Sequence, residues 1–307
     1  MSDDNIPRLV LSRNHCMPVI GLGTGGFQIP HEVAKTAVME AIKVGYEHFD
    51  TASSYETEQA LGEAIEEALK LGLVGSRGEL FITSKLWITD AYPDRVLPAL
   101  QKSLRLLKLE YLDMYLIHFP VSSKPKRDSG LPSKEEIEPL DVKGVWAAME
   151  ECKKLGLTKS IGVSNFPVKT LENLLSVATI TPSLNQVEMN PTCQQKELRE
   201  YCKQKGILIT AYSPLGAPGT IWGNNRILDN EILIDIAKSH GKSVAQVSLR
   251  WLFEQGVGFI VKSFNKERMK QNLEIFDWSL TENDLEKISQ IKQMRLNQEN
   301  PLFENIA

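Results

Sequence analysis

Short runs of aliphatic and β-branched residues alternate along the chain with longer segments in which hydrophobic residues recur at helical spacing. HEVAKTAVMEAIKVG (31–45) and EQALGEAIEEALKLG (58–72) are two such segments, and each ends at a glycine that would stop a helix. Their hydrophobic stripes are formed by Val33, Ala34, Ala37, Val38, Ala41 and Ile42, and by Leu61, Ala64, Ile65, Ala68 and Leu69. YEHFDTA and ELFITSKLW, which follow these helices, have the composition of strands.

The same alternation continues to the end of the chain. It predicts further strands at DMYLIH, KSIGVS, LNQVEM, ILITAYS and GFIVKS. It predicts helices near 91–107, 142–155, 168–177, 194–205, 229–239 and 243–255, and another from about Lys266. Thr281 and Asp284 have the spacing of a capping box for the last helix.

Counted from Val19, the pattern gives eight strands that are each followed by a helix. Eight βα units over roughly 250 residues are typical of a closed (β/α)8 TIM barrel, an α/β fold. RLVLS is left over for a short N-terminal β-hairpin, and extra helices lie near the C-terminus. No linker divides the sequence, so we predict one domain over 1–307, with 121–136 as a long loop over the barrel.

Composition limits the classes of partner. The 307 residues carry a net charge of −4, whereas nucleic acids and anionic membranes attract basic surfaces. The chain shows neither a signal peptide nor a hydrophobic run long enough to span a bilayer. Its four cysteines form no C-x-x-C, and no zinc-ligand spacing occurs. We therefore predict a cytoplasmic protein with reduced thiols and no metal, and a monomer because no heptads are present.

Glycines at 21, 23 and 26 spell G-x-G-x-x-G after a hydrophobic run, which raises the alternative of a Rossmann dinucleotide site in a two-domain dehydrogenase. In that motif the helix begins within the glycines, so that its N-terminus contacts the pyrophosphate. Here residues 27–30 intervene before the helix. The spacing therefore argues against a Rossmann turn.

Every predicted barrel strand ends in polar residues, and the active sites of such barrels lie at the C-terminal ends of the strands. These residues are Thr24, Asp50, Lys85, His118, Ser164 with Asn165, Gln186, Tyr212 with Ser213, and Lys262 with Ser263. Unpaired buried polar groups each cost about 1–3 kcal/mol, so a ligand at this end would account for them. For any one Ser or Gln, a solvated loop position is an equally good explanation.

Asp50, Tyr55, Lys85 and His118 form a chemically coherent set. A phenol is a useful general acid near neutral pH only if its pKa falls from about 10, and a nearby ammonium would lower it. Asp50 would hold Lys85 in place, while His118 would orient a carbonyl group. Each of the four residues alone has an ordinary structural explanation, but their combination favours acid catalysis.

These residues lie in motifs through which the chain resembles the aldo-keto reductases: GLGTG, HFDTASSY, ITSKLW, YLDMYLIHFP, IGVSNF, NQVEMNP, AYSPLG and VKSFNKERMKQN. The resemblance spans nearly the whole sequence. It implies that Tyr55 donates a proton to a small-molecule carbonyl substrate, that Lys85 and Asp50 tune the phenol, and that His118 lines the carbonyl site.

The resemblance also implies NADPH (NADP+) as cofactor. It assigns Ser164, Asn165 and Gln186 to the nicotinamide carboxamide, Tyr212 to stacking, and Ser213, Leu215 and Gly216 to the pyrophosphate loop. It assigns Lys262, Ser263, Arg268, Gln271 and Asn272 to the adenosine end, where positive charge suits a 2′-phosphate. Gly23, Thr24 and Gly25, with Asp50, would approach the nicotinamide end.

Phe27, Trp87, Phe119 and Trp222 are candidates, with His118, for the wall of the substrate pocket; core packing is the alternative for each. SLRLLKLEYLDMYLIH, DVKGVWAAMEECKKLGL and GKSVAQVSLRW resemble most closely the plant chalcone (polyketide), codeinone and methylecgonone reductases. This implies a ketone or aldehyde reductase of plant specialised metabolism, acting on an alkaloid or polyketide. Phe119 departs from the Trp of many relatives, and the tail after Lys292 is short. A general reactive-aldehyde or sugar-acid reductase and a non-catalytic NADPH-binding regulatory subunit remain alternatives.

Overall fold

The strands and helices follow the predicted alternation. This computed structural model describes residues 6–26, 28–124, 133–220 and 223–296. The strands in chain order are β1 (Arg8–Ser12), β2 (His15–Pro18), β3 (Ile20–Gly23), β4 (His48–Asp50), β5 (Phe81–Leu86), β6 (Leu112–Ile117), β7 (Val121–Ser123), β8 (Ile137–Pro139), β9 (Thr158–Ser164), β10 (Leu184–Glu188), β11 (Leu208–Tyr212) and β12 (Gly258–Val261). The α-helices in these ranges are α1 (His31–Lys43), α2 (Glu58–Lys70), α3 (Val96–Leu107), α4 (Val142–Lys154), α5 (Val168–Val177), α6 (Lys196–Lys205), α7 (Glu231–His240), α8 (Val244–Glu254), α9 (Lys266–Leu273) and α10 (Glu282–Ser289).

Eight parallel strands close into a barrel in the order β3, β4, β5, β6, β9, β10, β11 and β12, and β12 pairs with β3. This closure confirms the predicted (β/α)8 fold. It also excludes the Rossmann alternative, since α1 begins at His31, well beyond Gly26. The strands β5 and β6 are buried at every position, as expected for a sheet covered on both faces.

The predicted helical stripes face the barrel with one exception. Ala34, Ala37, Val38, Ala41 and Ile42 of α1 are buried, but Val33 is 41% exposed because it lies at the edge of the hydrophobic stripe. The capping box of α10 forms as predicted: Thr281 Oγ1 accepts from the backbone N–H of Asp284 at 3.1 Å.

The N-terminal hairpin of β1 and β2 closes the end of the barrel opposite the active-site end. Met17 is fully buried in a hydrophobic cluster at this end, whose other members are Phe81, Met114, Leu116 and Leu184, with Leu9, Leu11 and Leu208 packed against it. Beside it, Asp113 forms ion pairs with Arg77 at 2.7 Å and with Lys159 at 3.1 Å. Hydrophobic side chains therefore fill this end of the barrel.

The segment predicted as a long loop, 121–136, contains a strand and a second strand follows it. β7 and β8 form an antiparallel pair outside the barrel, between β6 and α4. The sequence did not reveal them because each spans only three residues, too few for a clear alternation. They stand next to the end of β6 and therefore border the active-site end of the barrel.

Two features are absent from the residues that the structure describes. Within them, no helix is both long enough and hydrophobic enough to cross a membrane. No group of three or more histidine, cysteine, aspartate or glutamate side chains in those ranges is arranged to bind a metal. All four cysteines are free thiols.

Candidate active site

Three neighbouring strands carry the four predicted catalytic residues. Asp50 is the last residue of β4, and Tyr55 lies in a 3₁₀ turn, Ser53–Tyr55, that follows this strand. Lys85 lies in β5, and His118 comes directly after β6. Because β4, β5 and β6 are adjacent in the barrel, their C-terminal ends bring these side chains to one place.

Lys85 and Asp50 form a buried ion pair. Lys85 Nζ lies 2.5 Å from Asp50 Oδ1 and donates a second hydrogen bond to the carbonyl oxygen of Thr51 at 2.9 Å. The side chain of Lys85 is fully buried. Burial alone would lower the pKa of Lys85, but the charge of Asp50, the phenol of Tyr55 and the hydrogen bonds to both together outweigh it, and the pKa is raised. Lys85 is therefore a fixed cation inside the barrel.

Tyr55 lies against this pair and faces His118. Its ring centroid is 5.0 Å from Lys85 Nζ, and its hydroxyl is 3.4 Å from His118 Nε2. Burial raises the pKa of the Tyr55 phenol above its ordinary 10.0, and the opposing effect of Lys85 only partly offsets this. The expectation that Lys85 brings the pKa of Tyr55 below its ordinary value is therefore wrong for this state, because removal from water penalises the phenolate more than one ammonium stabilises it.

His118 is a neutral imidazole at physiological pH. Burial, and then the charge of Lys85, hold its pKa well below the ordinary 6.5. Its Nδ1 has no hydrogen-bond partner among the described residues, and the side-chain amide of Asn165 donates to its backbone carbonyl at 3.0 Å. A neutral imidazole can accept or donate a hydrogen bond toward a substrate oxygen without adding charge.

The four predicted catalytic residues adjoin polar side chains that lie on or directly after β9, β10 and β11: Ser164, Asn165, Gln186 and Tyr212. Gln186 Nε2 donates to Asp50 Oδ2 at 2.8 Å, and Ser164 donates through Oγ to the Gln186 carbonyl at 2.8 Å. The Tyr212 hydroxyl donates to Asn165 Oδ1 at 2.7 Å. Amide and hydroxyl groups thus lie beside the acid and its ion pair.

Known proteins resemble this chain in sequence and in fold. The sequence model described as the Aldo/keto reductase family matches residues 19–293. An NAD(P)H-dependent 6′-deoxychalcone synthase of Glycine max is 59% identical, with 95% of this chain and 93% of that protein covered. An NADPH-dependent codeinone reductase of Papaver somniferum is 57% identical, covering 96% and 92%. The crystal structure of a Bombyx mori aldo-keto reductase in complex with NADP superposes with a TM-score of 0.84 at 38% identity, covering 94% of each chain.

The chain belongs to the aldo/keto reductase family. The sequence-based predictions of an NADPH-dependent oxidoreductase and of a resemblance to plant reductases of specialised metabolism are thereby confirmed.

The far end of the mouth of this aldo/keto reductase is positively charged. Lys262 and Ser263 follow β12, and Arg268 and Gln271 are exposed on α9. Neither Lys262 nor Arg268 forms an ion pair with any described residue, and partial desolvation of the Lys262 ammonium lowers its pKa. Arg268 lies in the first turn of α9 and Lys262 precedes this helix; two such cations, with no counter-ion in the described ranges, fit a phosphate group. Asn272 lies on the inner face of α9, where it is buried.

The loop after β11 connects the two ends of the barrel mouth, one with the amide and hydroxyl groups beside Asp50 and the other with the cations near α9. Ser213 and Gly216 adopt positive φ values of 49° and 76°, and a Cβ at Gly216 would lie 2.9 Å from the backbone oxygen of Asn224. Leu215 is partly buried between them. On the opposite side, Gly23 ends β3, and a Cβ at Gly25 would lie 2.9 Å from the ring of Tyr55. The mouth thus has amide and hydroxyl groups near Gln186 and a cation at Arg268. This distribution fits a pyridine dinucleotide phosphate.

Two of the predicted pocket residues contact His118. The ring centroids of Trp87 and His118 are 5.1 Å apart, and Phe119 stacks on His118 at 5.0 Å. Phe119 is only 7% exposed and packs with Ile88 and Val121, so core packing is part of its role. Phe27 and Trp222 lie outside the described residues.

Two polar residues of this region, Thr57 and Glu188, are not predicted from the sequence. Thr57 precedes the helical pattern of α2 and reads as an ordinary cap, and Glu188 is the last residue of β10, two positions after Gln186. Both Glu188 oxygens accept from the backbone N–H of Leu296, at 3.0 and 2.9 Å. The strand-end criterion that found Gln186 could also have found Glu188.

Proposed function

We propose that this protein reduces a ketone or aldehyde to an alcohol with NADPH, and that Tyr55 is the proton donor. The observation that carries the proposal is the convergence of Tyr55, the Lys85–Asp50 ion pair and His118 at one end of the barrel. NADPH, when bound, supplies the hydride that adds to the carbonyl carbon. We assign Ser164, Asn165, Gln186 and Tyr212 to its nicotinamide end, and Lys262 and Arg268 to its phosphate end.

The side chains of the protein perform the rest of the reaction. His118, as a neutral imidazole, positions the carbonyl oxygen next to the Tyr55 hydroxyl. The Tyr55 O–H bond breaks, its proton passes to the oxygen of the reduced substrate, and the phenolate left behind is stabilised by the Lys85 ammonium. Asp50 keeps Lys85 charged and in place through their hydrogen bond. The free phenol, with its raised pKa, is fully protonated before the reaction.

We propose an alkaloid ketone or a polyketide intermediate of plant specialised metabolism as the substrate. The support is the identity of 59% to a 6′-deoxychalcone synthase and of 57% to a codeinone reductase. The hydrophobic wall of Trp87 and Phe119 beside His118 suits a bulky, weakly polar molecule. A reactive aldehyde or a sugar acid is the competing substrate class.

We further propose that residues 1–307 act as one domain, as a monomer in the cytoplasm, without a nucleic-acid or membrane partner. One closed barrel supplies every proposed catalytic residue. The four free thiols suit a reducing compartment, and the net charge of −4 disfavours polyanionic partners.

A substrate panel followed by NADPH absorbance tests this function. The wild-type protein should reduce alkaloid or polyketide ketones faster than sugar acids or small aldehydes. Tyr55→Phe should lose at least about a thousandfold in kcat, because it removes the transferred proton, while NADPH binding is retained. Tyr201→Phe, on α6 away from the mouth, is the matched control and should behave as wild type. NADPH binding without any turnover would instead support a regulatory subunit, and an active Tyr55→Phe would remove Tyr55 from its role.

A further inference from the structure

Three buried threonines lie beneath the turn that carries Tyr55. Thr57 is only 1% exposed, and its Oγ1 lies 2.8 Å from Thr24 Oγ1 and 3.1 Å from Thr51 Oγ1. We call Thr24, Thr51 and Thr57 the threonine cluster. Because all three hydroxyls are removed from water, each needs a partner inside the protein, and the cluster supplies it.

The hydroxyl of Thr57 does not form the hydrogen bond that its position at the start of a helix predicts. Thr57 is the N-cap residue of α2, where a threonine normally accepts a hydrogen bond from the backbone of the first turn. No such bond forms here. Thr57 therefore lacks a hydrogen bond that would stabilise the start of α2, and its hydroxyl contacts Thr24 and Thr51 instead.

The threonine cluster joins the two loops on either side of the phenol. Thr24 donates both from its backbone N–H and from Oγ1 to the carbonyl oxygen of Asp50, at 2.9 and 3.2 Å. Its neighbour Gly25 lies so close to the Tyr55 ring that an added Cβ would be 2.9 Å from Cε2. The hydrogen bond between Thr24 and Thr57 therefore links three segments: the loop of Gly23, Thr24 and Gly25, the end of β4, and the turn of Tyr55.

The turn needs this support because its backbone is strained. Glu56, between Tyr55 and Thr57, has a φ of 59°, a left-handed conformation that is unfavourable for a residue with a side chain. A second attachment of this turn is the hydrogen bond from Ser53 Oγ to the Lys85 carbonyl oxygen at 3.1 Å. Tyr55 is thus held from both sides, by Ser53 before it and Thr57 after it.

We propose that Thr57 is a positioning residue: through the threonine cluster, its hydroxyl holds the Tyr55 phenol at the distance required for proton transfer. This inference rests on the proposed function, in which Tyr55 is the proton donor. Thr57 itself is only 1% exposed, so we assign it no contact with substrate or cofactor. A displacement of about 1 Å of a reacting group can cost about a hundredfold in rate, so one hydroxyl behind the turn can affect kcat strongly.

The test compares Thr57→Val, which has nearly the same shape but no hydroxyl, with Thr57→Ser, which keeps the hydroxyl. Thr158→Val is the matched control: Thr158 is also buried, and its hydroxyl donates to the Ser160 carbonyl at 2.8 Å at the opposite end of the barrel. The measured quantities are kcat per NADPH-binding site and the solvent deuterium isotope effect on kcat. Because unfolded protein does not bind NADPH, dividing the rate by the number of NADPH-binding sites removes its contribution.

We expect Thr57→Val to lower kcat at least about tenfold and to raise the solvent isotope effect, because proton transfer becomes slower. Thr57→Ser should stay within about threefold of wild type, and Thr158→Val should match wild type in both quantities. If Thr57→Val does not fold, Thr57→Ala removes the same hydroxyl without adding a methyl group and carries the same expectation.

A kcat for Thr57→Val within twofold of wild type, or equal losses in Thr57→Ser and Thr57→Val, would overturn the inference. These outcomes differ from failure of the proposed function. That failure appears as a wild-type protein that reduces no carbonyl, or as an active Tyr55→Phe variant. An active wild type, an inactive Tyr55→Phe and a fully active Thr57→Val would reject only the positioning role.

Discussion

The side-chain amide of Gln186 donates a 2.8 Å hydrogen bond to Asp50, although the two residues are 136 positions apart in the chain. Asp50 Oδ1 holds Lys85, and its second oxygen accepts from Gln186. One carboxylate therefore connects the proposed acid-catalytic group to the proposed carboxamide site. A substitution in the proposed acid-catalytic group should therefore affect the proposed carboxamide site, and the reverse should also hold.

The rate of carbonyl reduction should be nearly independent of pH from about pH 7 to about pH 9. The pKa of Tyr55 lies above 10.0, so the phenol keeps its proton in this range, and the pKa of His118 lies well below 6.5, so the imidazole stays neutral. The decline should begin only on the alkaline side, as the phenol loses its proton. A pH profile of kcat at saturating NADPH checks this, and an inflection near pH 8 would show that Lys85 dominates over burial in the working enzyme.

Lys85→Met should destabilise the fold and abolish reduction. Removal of one partner leaves the Asp50 carboxylate buried without a counter-ion, a change that typically costs about 3–5 kcal/mol. The double variant Lys85→Met with Asp50→Asn removes both charges and should recover much of that stability, while kcat remains low because the phenolate has no ammonium beside it. Denaturant unfolding and steady-state kinetics measure the two effects. Equal stability of the single and double variants would show that the pair is not coupled.

Arg268→Ala should weaken NADPH binding at least about tenfold and change NADH binding little, since only NADPH carries a 2′-phosphate for the guanidinium. The N-cap of α9 survives the substitution, because Asn265 Oδ1 accepts from the backbone N–H of Arg268. Lys270→Ala is the control: Lys270 lies on the same helix and pairs with Glu267 at 3.4 Å. Fluorescence titration with both cofactors gives the affinities, and equal losses for NADPH and NADH would exclude the 2′-phosphate as the partner of Arg268.

Glu188→Gln should stabilise the protein at high pH and not at low pH. Burial raises the pKa of Glu188 to about 7, against the opposing effects of the Leu296 N–H and Arg295. The folded state therefore holds the proton more tightly than the unfolded state, so ionisation destabilises the fold. The penalty is absent below about pH 4.5, grows as the pH rises, and reaches about 3 kcal/mol above pH 7.

Glutamine cannot ionise, so the difference in unfolding free energy between Glu188→Gln and wild type should change across that interval. Unfolding titrations at pH 5 and at pH 8 measure it. Glu138→Gln is a control, because the hydrogen bonds from Tyr92 and Lys124 lower the pKa of Glu138, which therefore stays ionised at both pH values. A difference between Glu188→Gln and wild type that is the same at both pH values would contradict the assignment of this raised pKa.

The sequence determined the barrel by itself, because the alternation of strand and helix periods is local and eight repeats leave few topologies. It also located Asp50, Lys85 and His118, since strand ends can be identified from the hydrophobic runs before them. In a parallel barrel all such ends lie on the same side. The sequence did not predict the strands β7 and β8, because three residues are too few to show an alternation of hydrophobic and polar positions.

Only the tertiary structure decided how these groups influence one another. The direction of the Tyr55 pKa depends on how much water surrounds the phenol, and the packing that excludes this water comes from several strands. The bond from Gln186 to Asp50 joins strands on different sides of the barrel, and the Thr57 hydroxyl leaves its helix cap for partners on two other segments. Desolvation and long-range hydrogen bonds arise from three-dimensional proximity, which residue order alone does not specify.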